Sequence, residues 1–317
     1  MSLDRFARRF LDLTGAGARA RTSEPTIAEM RQGLAGLAAL AGPTEGLGVE
    51  ARDEILPGTA IPLRVYSPSS PSQEFLPGLV YFHGGGWVSG DLESHDPICR
   101  ALAGGGQCRI IAVDYRLAPE HRFPAAIDDC LKAVEIITEH ASSFGLDSAC
   151  IGVAGDSAGA NLAVVVCQMA RGKGVRLALQ LLLCPVMDAL GRTQSRQTLG
   201  VGYFLDERTM VRYWEHYRID GLDPDDPRVS PLRARDFHNM PPALVHTAEY
   251  DLLCDEGALY AIELARAGVK VRHCQHPGMI HHFYGLGGAI PYAATALAAI
   301  GAEIREAFGS AGREVSS

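Results

Sequence analysis

The sequence has no CxxC pair, no leader-like apolar segment, no Walker lysine and no surplus of positive charge. Each absence removes a class of function. The 8 cysteines, at 99, 108, 130, 150, 167, 184, 254 and 274, are scattered, mostly inside apolar runs such as AVVVCQMA and LLLCP. They read as small buried hydrophobes, not as a disulfide scaffold or a metal-ligand pairing. A reducing, cytoplasmic setting is expected. Net charge is −8, from 29 basic and 37 acidic residues, so the basic footprint of a nucleic-acid partner is missing. The first residues, MSLDRFARRFLDL, lack the apolar stretch of a signal peptide. Residues Phe283 to Ala302 are uncharged for 20 positions, but glycines and Pro291 break the run and alanine dominates it. A buried terminal helix starting at Pro291 is expected there, and no membrane partner.

What is present is an alternation of short apolar runs and helical stretches. Strands are predicted at Ile61–Tyr66, Gly78–Phe82, Arg109–Asp114, Cys150–Ala154, Leu177–Leu183, Ala243–Ala248 and Val269–Gln275. Helices are predicted between them at Ile98–Ala103, Ala125–His140, Ala160–Arg171, Asp255–Ala267 and Tyr292–Phe308. Near-continuous runs such as GLVYF and LQLLLC suit strands buried on both faces. The fold class is therefore α/β, a mostly parallel sheet flanked by helices, with ligand chemistry at the carboxyl ends of the strands. Two stretches break the rhythm. Residues 1–45 look helical, and 188–235 are polar and irregular around one helix near Glu207–Tyr217. An insertion of that size between core strands suggests a lid.

Two glycine-rich turns carry the chemistry. Gly155-Asp156-Ser157-Ala158-Gly159 is a G-x-S-x-G, a weak signal alone in a chain with 35 glycines. Its setting strengthens it: CIGVAG reads as a strand before it and ANLAVVVCQMAR as a helix after it, the context of a nucleophile elbow. His83-Gly84-Gly85-Gly86-Trp87 follows the strand GLVYF, and such a loop lets backbone N–H groups meet a developing oxyanion. The GGG at 104–106 and the GLGG at 285–288 read as plain turns. A serine hydroxyl needs a base and a group that orients the base. Asp251, just past the run ALVHTAEY, is the candidate acid; Asp255 and Glu256 are rivals, but they read as cap and first-turn charges of the next helix. For the base, His281 and His282 compete, and adjacent side chains of an extended segment point opposite ways. Neighbouring histidines with no HExxH spacing do not suggest a metal site. The other histidines, including His95, His246, His273 and His276, are expected at surfaces or in helices.

HGGGWVSGD, DYRLAPEHRFPAA, GDSAGANLA, TAEYD–DEG and HPGMIHHF occur in this order from residue 83 to residue 283. Together they resemble the hormone-sensitive-lipase-like family of α/β-hydrolases, the bacterial family IV esterases. The resemblance implies an α/β-hydrolase core at 46–187 and 236–317, with a helical cap drawn from 1–45 and 188–235. It implies a serine carboxylesterase for short- to medium-chain acyl esters, with a small-molecule ester as partner, no cofactor and no metal, and it admits a homodimer. Carried over residue by residue, Ser157, Asp251 and His281 are the triad, and the N–H groups of Gly85, Gly86 and Ala158 form the oxyanion hole. Trp87, Tyr203 and Phe204 are expected at the substrate; Phe6, Phe10, Leu11 and Trp214 either join an apolar wall or glue the cap to the core. The chain departs from the family at His282, where a glycine is usual, and at Ala160, Leu252 and Cys254. Amide cleavage on the same triad, or a receptor without turnover, are the alternative readings.

Overall fold

The computed structural model describes residues 2–19, 24–43, 47–71 and 73–314. Among the described residues eight strands form one sheet: β1 (Val49–Ile55), β2 (Pro62–Pro68), β3 (Leu76–Phe82), β4 (Arg109–Val113), β5 (Leu146–Asp156), β6 (Gln180–Leu183), β7 (Ala243–Tyr250) and β8 (Val271–Ile280). The order is β1-β2-β4-β3-β5-β6-β7-β8, with β2 antiparallel to both neighbours and every pairing from β4 to β8 parallel. The helices in chain order are α1 (Arg5–Arg19), α2 (Ile27–Leu37), α3 (Asp96–Gly106), α4 (Ala125–Glu139), α5 (Ala158–Gly172), α6 (Gln194–Thr198), α7 (Glu207–Tyr217), α8 (Cys254–Arg266) and α9 (Tyr292–Glu314).

Alternation of side chains along each strand divides the core in two. Val80, Phe82, Ile151 and Val153 face α4, α5 and α8, whereas Leu79, Tyr81, Cys150 and Ala154 face α3 and α9. Parallel pairing buries both faces, which is why the central strands are continuous apolar runs. All seven expected strands are present. The eighth, β1, was invisible because its sequence VEARDEI is polar and mostly exposed at the sheet edge. The GGG at 104–106 is not a turn: it closes α3, where Gly105 lets the backbone of α9 approach at Gly301. The terminal helix runs from Tyr292 to Glu314, and no helix among the described residues is long and apolar enough to cross a membrane. All 8 cysteines are unpaired, and all but Cys274 are buried.

The two irregular stretches meet above the carboxyl ends of the strands. Helix α2 starts with a capping box, in which Thr26 accepts from the Glu29 amide while the Glu29 carboxylate accepts from the Thr26 amide. Arg31 on α2 reaches down to the Val88 and Ala118 carbonyls, 2.9 and 3.1 Å away, and pairs with Glu120. Arg212 on α7 pairs with Glu24, just before α2, at 2.9 Å. The expected boundary between residues 45 and 46 lies outside the described residues.

Candidate active site

Strand β5 ends at Asp156 and α5 begins at Ala158, leaving Ser157 alone to turn the chain. Its φ of 53° and ψ of −117° lie in a region that side chains avoid. Local packing holds it there: the Ser157 amide donates to the Leu183 carbonyl at 2.8 Å, and the Ser157 carbonyl accepts from Asn161 at 3.1 Å. The flanking glycines are sterically required. A Cβ at Gly155 would come within 2.5 Å of the Gly159 backbone, and one at Gly159 would strike the Phe82 carbonyl. This is the strained strand-to-helix elbow that exposes a serine hydroxyl.

Strands β7 and β8 deliver the other two side chains, since Asp251 directly follows the one and His281 the other. His281 Nε2 lies 3.1 Å from Ser157 Oγ, and His281 Nδ1 lies 2.7 Å from Asp251 Oδ2. The Asp251 carboxylate also accepts from the Leu253 amide at 3.0 Å. Burial alone pulls the His281 imidazolium down, but the charge and hydrogen bond of Asp251, with Asp156 beyond, outweigh it and raise its pKa above the ordinary value. An imidazole so placed can take the serine proton and hold it beside a carboxylate.

His282 points the other way. It adopts φ +60°, the left-handed conformation in which a glycine carries no steric penalty. Its ring faces Asp156, 3.8 Å from Nδ1 to Oδ2, and burial lowers its pKa despite that carboxylate. Asp156 is the hinge of a second buried cluster. Its Oδ1 accepts from Tyr81 Oη at 2.7 Å and from the Gly84 amide at 2.8 Å, and its Oδ2 lies 3.3 Å from His95 Nε2. Burial opposes the Asp156 charge, but His95 and His282 hold its pKa well below the carboxylate range. The residue before the serine thus ties the elbow to the glycine loop. His95, His246 and His276 are fully buried, contrary to the surface or helix positions expected for them, because each is hydrogen-bonded inside the core.

In the glycine loop, Gly85 (φ 113°) and Gly86 (φ 63°) need the freedom of glycine. A Cβ on Gly85 would press on the Ser89 carbonyl and one on Gly86 on the Tyr213 ring. No hydrogen bond among the described residues uses the N–H groups of Gly85, Gly86 or Ala158. His83 braces the loop from below: it stacks on Tyr115 at 4.3 Å, and Tyr115 Oη donates to the His83 carbonyl at 2.7 Å. Desolvation pushes the His83 pKa down to about 4, so the ring is neutral.

Ser157, His281, His282, Gly85 and Gly86 open on one cavity whose opposite wall is apolar: Met30, Leu34 and Leu37 of α2, with Phe204, Leu205 and Tyr213. Of the three aromatic residues expected at the substrate, only Phe204 is on that wall. Trp87 is buried and stacks on Tyr217 at 4.5 Å, while Tyr203 packs on Tyr250 at 5.2 Å. Phe10 supports Phe204 from behind, at 5.5 Å. The wall residues of α2 and Tyr213 were missed; the amphipathic spacing of Met30, Leu34 and Leu37 was the available signal. Asp255 and Glu256 are more than first-turn charges. Asp255 accepts from the Ser195 amide at 2.8 Å, and buried Glu256 accepts from the Met187 and Asp188 amides at 2.7 and 2.9 Å, because the insertion folds back onto α8.

Known proteins share this arrangement of strands and turns. The α/β-hydrolase fold family matches residues 79–285. The chain belongs to the α/β-hydrolases. The hydrolase is 41% identical over 253 residues to the carboxylic ester hydrolase LipN of Mycobacterium tuberculosis, an alignment covering 77% of this chain and 67% of LipN. It is 36% identical over 288 residues to an arylesterase of Saccharolobus solfataricus, covering 90% of this chain and 93% of the arylesterase. Among solved structures, the ester-hydrolase EH1AB1 from the metagenome of Lake Arreo superposes with a TM-score of 0.88 at 39% identity, over 99% of this chain and all of that one. The resemblance to the hormone-sensitive-lipase-like group is thereby borne out, as is the α/β-hydrolase fold.

Proposed function

We propose that the hydrolase is a serine carboxylesterase acting on short- to medium-chain acyl esters through an acyl-enzyme. The observation that carries this reading is the continuous chain Ser157 Oγ–His281 Nε2, His281 Nδ1–Asp251, at 3.1 and 2.7 Å, opening on a cavity. The ester-cleaving relatives named above support it. Asp251 fixes the tautomer of His281, which takes the proton from Ser157 as the oxygen attacks the ester carbonyl. The tetrahedral oxyanion lies against the N–H groups of Gly85, Gly86 and Ala158, where each donor is worth about 2.7–4 kcal/mol of barrier. His281 then hands its proton to the departing alcohol, and water repeats the sequence on the acyl-enzyme. Residues 1–45 and 188–235 act as the cap, and α2 with Phe204, Leu205 and Tyr213 limits the acyl chain. The unpaired thiols fit a reducing compartment.

The test is a series of nitrophenyl esters of increasing acyl length, paired with matched anilides. Turnover should peak at short to medium acyl groups and fall steeply on the anilides, whose nitrogen is the poorer leaving group. A peak at long acyl groups, or comparable rates on anilides, would overturn the substrate assignment.

A further inference from the structure

A cluster outside the catalytic centre has the composition of a transition-metal site. Strands β7 and β8 pair in parallel with His246 opposite Cys274 and Ala248 opposite His276. Because strand side chains alternate, His246, Cys274 and His276 all project to the face covered by α9. One ligand atom from each of the three lies within 4.8 Å of the others. Both histidines are buried, and His246 Nδ1 faces His276 Nε2 at 3.2 Å. Two nitrogens bound to one tetrahedral zinc at about 2.0–2.1 Å stand roughly 3.3 Å apart.

The surroundings have the form of a supporting shell. Glu303 of α9 places Oε2 3.2 Å from His246 Nε2, an ion-pair contact too poorly aligned to be a full hydrogen bond, and among the described residues neither buried atom has another partner. Tyr292 Oη, from the start of the same helix, lies 3.1 Å from His276 Nδ1. A carboxylate and a hydroxyl on the outer nitrogens turn the inner nitrogens toward each other, as metal-bound histidines require. Cys274 is half-buried, its backbone sits in the β7–β8 ladder, and its thiol makes no side-chain hydrogen bond among the described residues. Glu303 also forms part of the wall of a surface cavity with Leu244, Val271 and Arg272. Arg272 lies 3.7 Å from Glu303 Oε1 and is a cation that an incoming ion would face.

We propose that His246, Cys274 and His276 bind a divalent transition ion of the zinc class, with Glu303 and Tyr292 orienting the two imidazoles. Two nitrogens and a thiolate exclude calcium and magnesium, which take oxygen ligands. Binding converts the Cys274 thiol to a thiolate, with its proton released to solvent. The ion would join the two strands that carry the acid and the base, since Asp251 and His281 each lie five residues past a ligating histidine. His276 also packs on Phe283 and Tyr284, at 5.1 and 5.6 Å, just beyond the base. The ion therefore acts as a staple under the catalytic loops and takes no part in ester cleavage. Protons alone can join Tyr292, His276, His246 and Glu303 into a chain, but that arrangement gives Cys274 no part.

Titration of the metal-stripped full chain with Co²⁺, then displacement by Zn²⁺, tests the site. One Co²⁺ per chain should bind with a thiolate-to-cobalt charge-transfer band and tetrahedral visible bands. Saturating Zn²⁺ should raise the unfolding midpoint by several degrees. Cys274→Ser should abolish the charge-transfer band, Cys184→Ser should keep it, and Glu303→Gln should weaken binding about 10–100-fold. Circular dichroism of each variant establishes that it is folded. Absence of a stoichiometric complex, or a band that survives Cys274→Ser, would overturn the proposal. So would a band lost with Cys184→Ser, which would put the ion at the Cys184–Asp251–His281 group instead.

Discussion

At the scale of single residues, the outcome turns on two neighbouring histidines placed on opposite sides of one backbone. His281 reaches Ser157 and Asp251, and His282 reaches Asp156. The left-handed φ of His282 is what swings it away, and that conformation suits the glycine usual in the family. His281→Ala is therefore expected to lower kcat by at least about 10³-fold, as removal of a triad base does. His282→Gly should keep activity within roughly tenfold, since it relaxes a strained backbone while giving up a buried ring. Parallel kinetics on one activated ester check this, and equal losses would contradict it. The raised pKa of His281 has a direct consequence for pH. The base must be neutral to accept a proton, so kcat/KM should rise with pH through a value above that of an ordinary histidine. Asp251→Asn removes the charge that raises it; the limb should move to lower pH while kcat falls about 10⁴-fold. A limb that stays in place would remove Asp251 from its role.

At the scale of elements, the glycine loop, the elbow and the insertion are tied together by buried acids. Asp156 links β5 to the Gly84 amide, and Glu256 on α8 holds the chain entering the insertion through the Met187 and Asp188 amides, with Arg196 Nε at 3.3 Å. Desolvation raises the Glu256 pKa to about 7 against the pull of Arg196. A carboxyl whose folded pKa is raised stabilises the fold fully below its unfolded value and loses that contribution as pH rises through about 7. The unfolding midpoint of Glu256→Gln should therefore fall less than that of the parent between about pH 6 and pH 8. Denaturant unfolding at the two pH values measures this, and parallel slopes would exclude the effect. These acids mark the limit of what the sequence discloses. The strands of the buried sheet announce themselves as apolar runs, and the serine turn through its flanking glycines. Glu256 and Asp156 do not, because a carboxylate among helix-start or turn residues looks the same whether it faces water or two amides. The cavity wall was half legible for a similar reason. Phe204 stood out as aromatic, whereas Met30, Leu34 and Leu37 form an ordinary amphipathic face until α2 is laid across the glycine loop.

At the scale of the molecule, a polar edge strand, a two-sided core and a sheet whose ends bring Ser157, Asp251 and His281 together share one logic. The core fixes the strand ends, and the strand ends fix the relative positions of Ser157, Asp251 and His281. The chain's lack of basic surplus and of CxxC pairs says little about this arrangement. Its glycines say more, since those at 85, 86, 155 and 159 stand where any side chain would collide with backbone or ring. The proposed ester cleavage requires Ser157 as nucleophile. Its most direct test is reaction of the intact protein with a fluorophosphonate, followed by peptide mapping and by the same experiment on Ser157→Ala. The expected result is one phosphonyl group per chain on Ser157, complete loss of esterase activity, and neither labelling nor turnover in the folded Ser157→Ala variant. Labelling at another residue, or undiminished ester turnover in that variant, would contradict it.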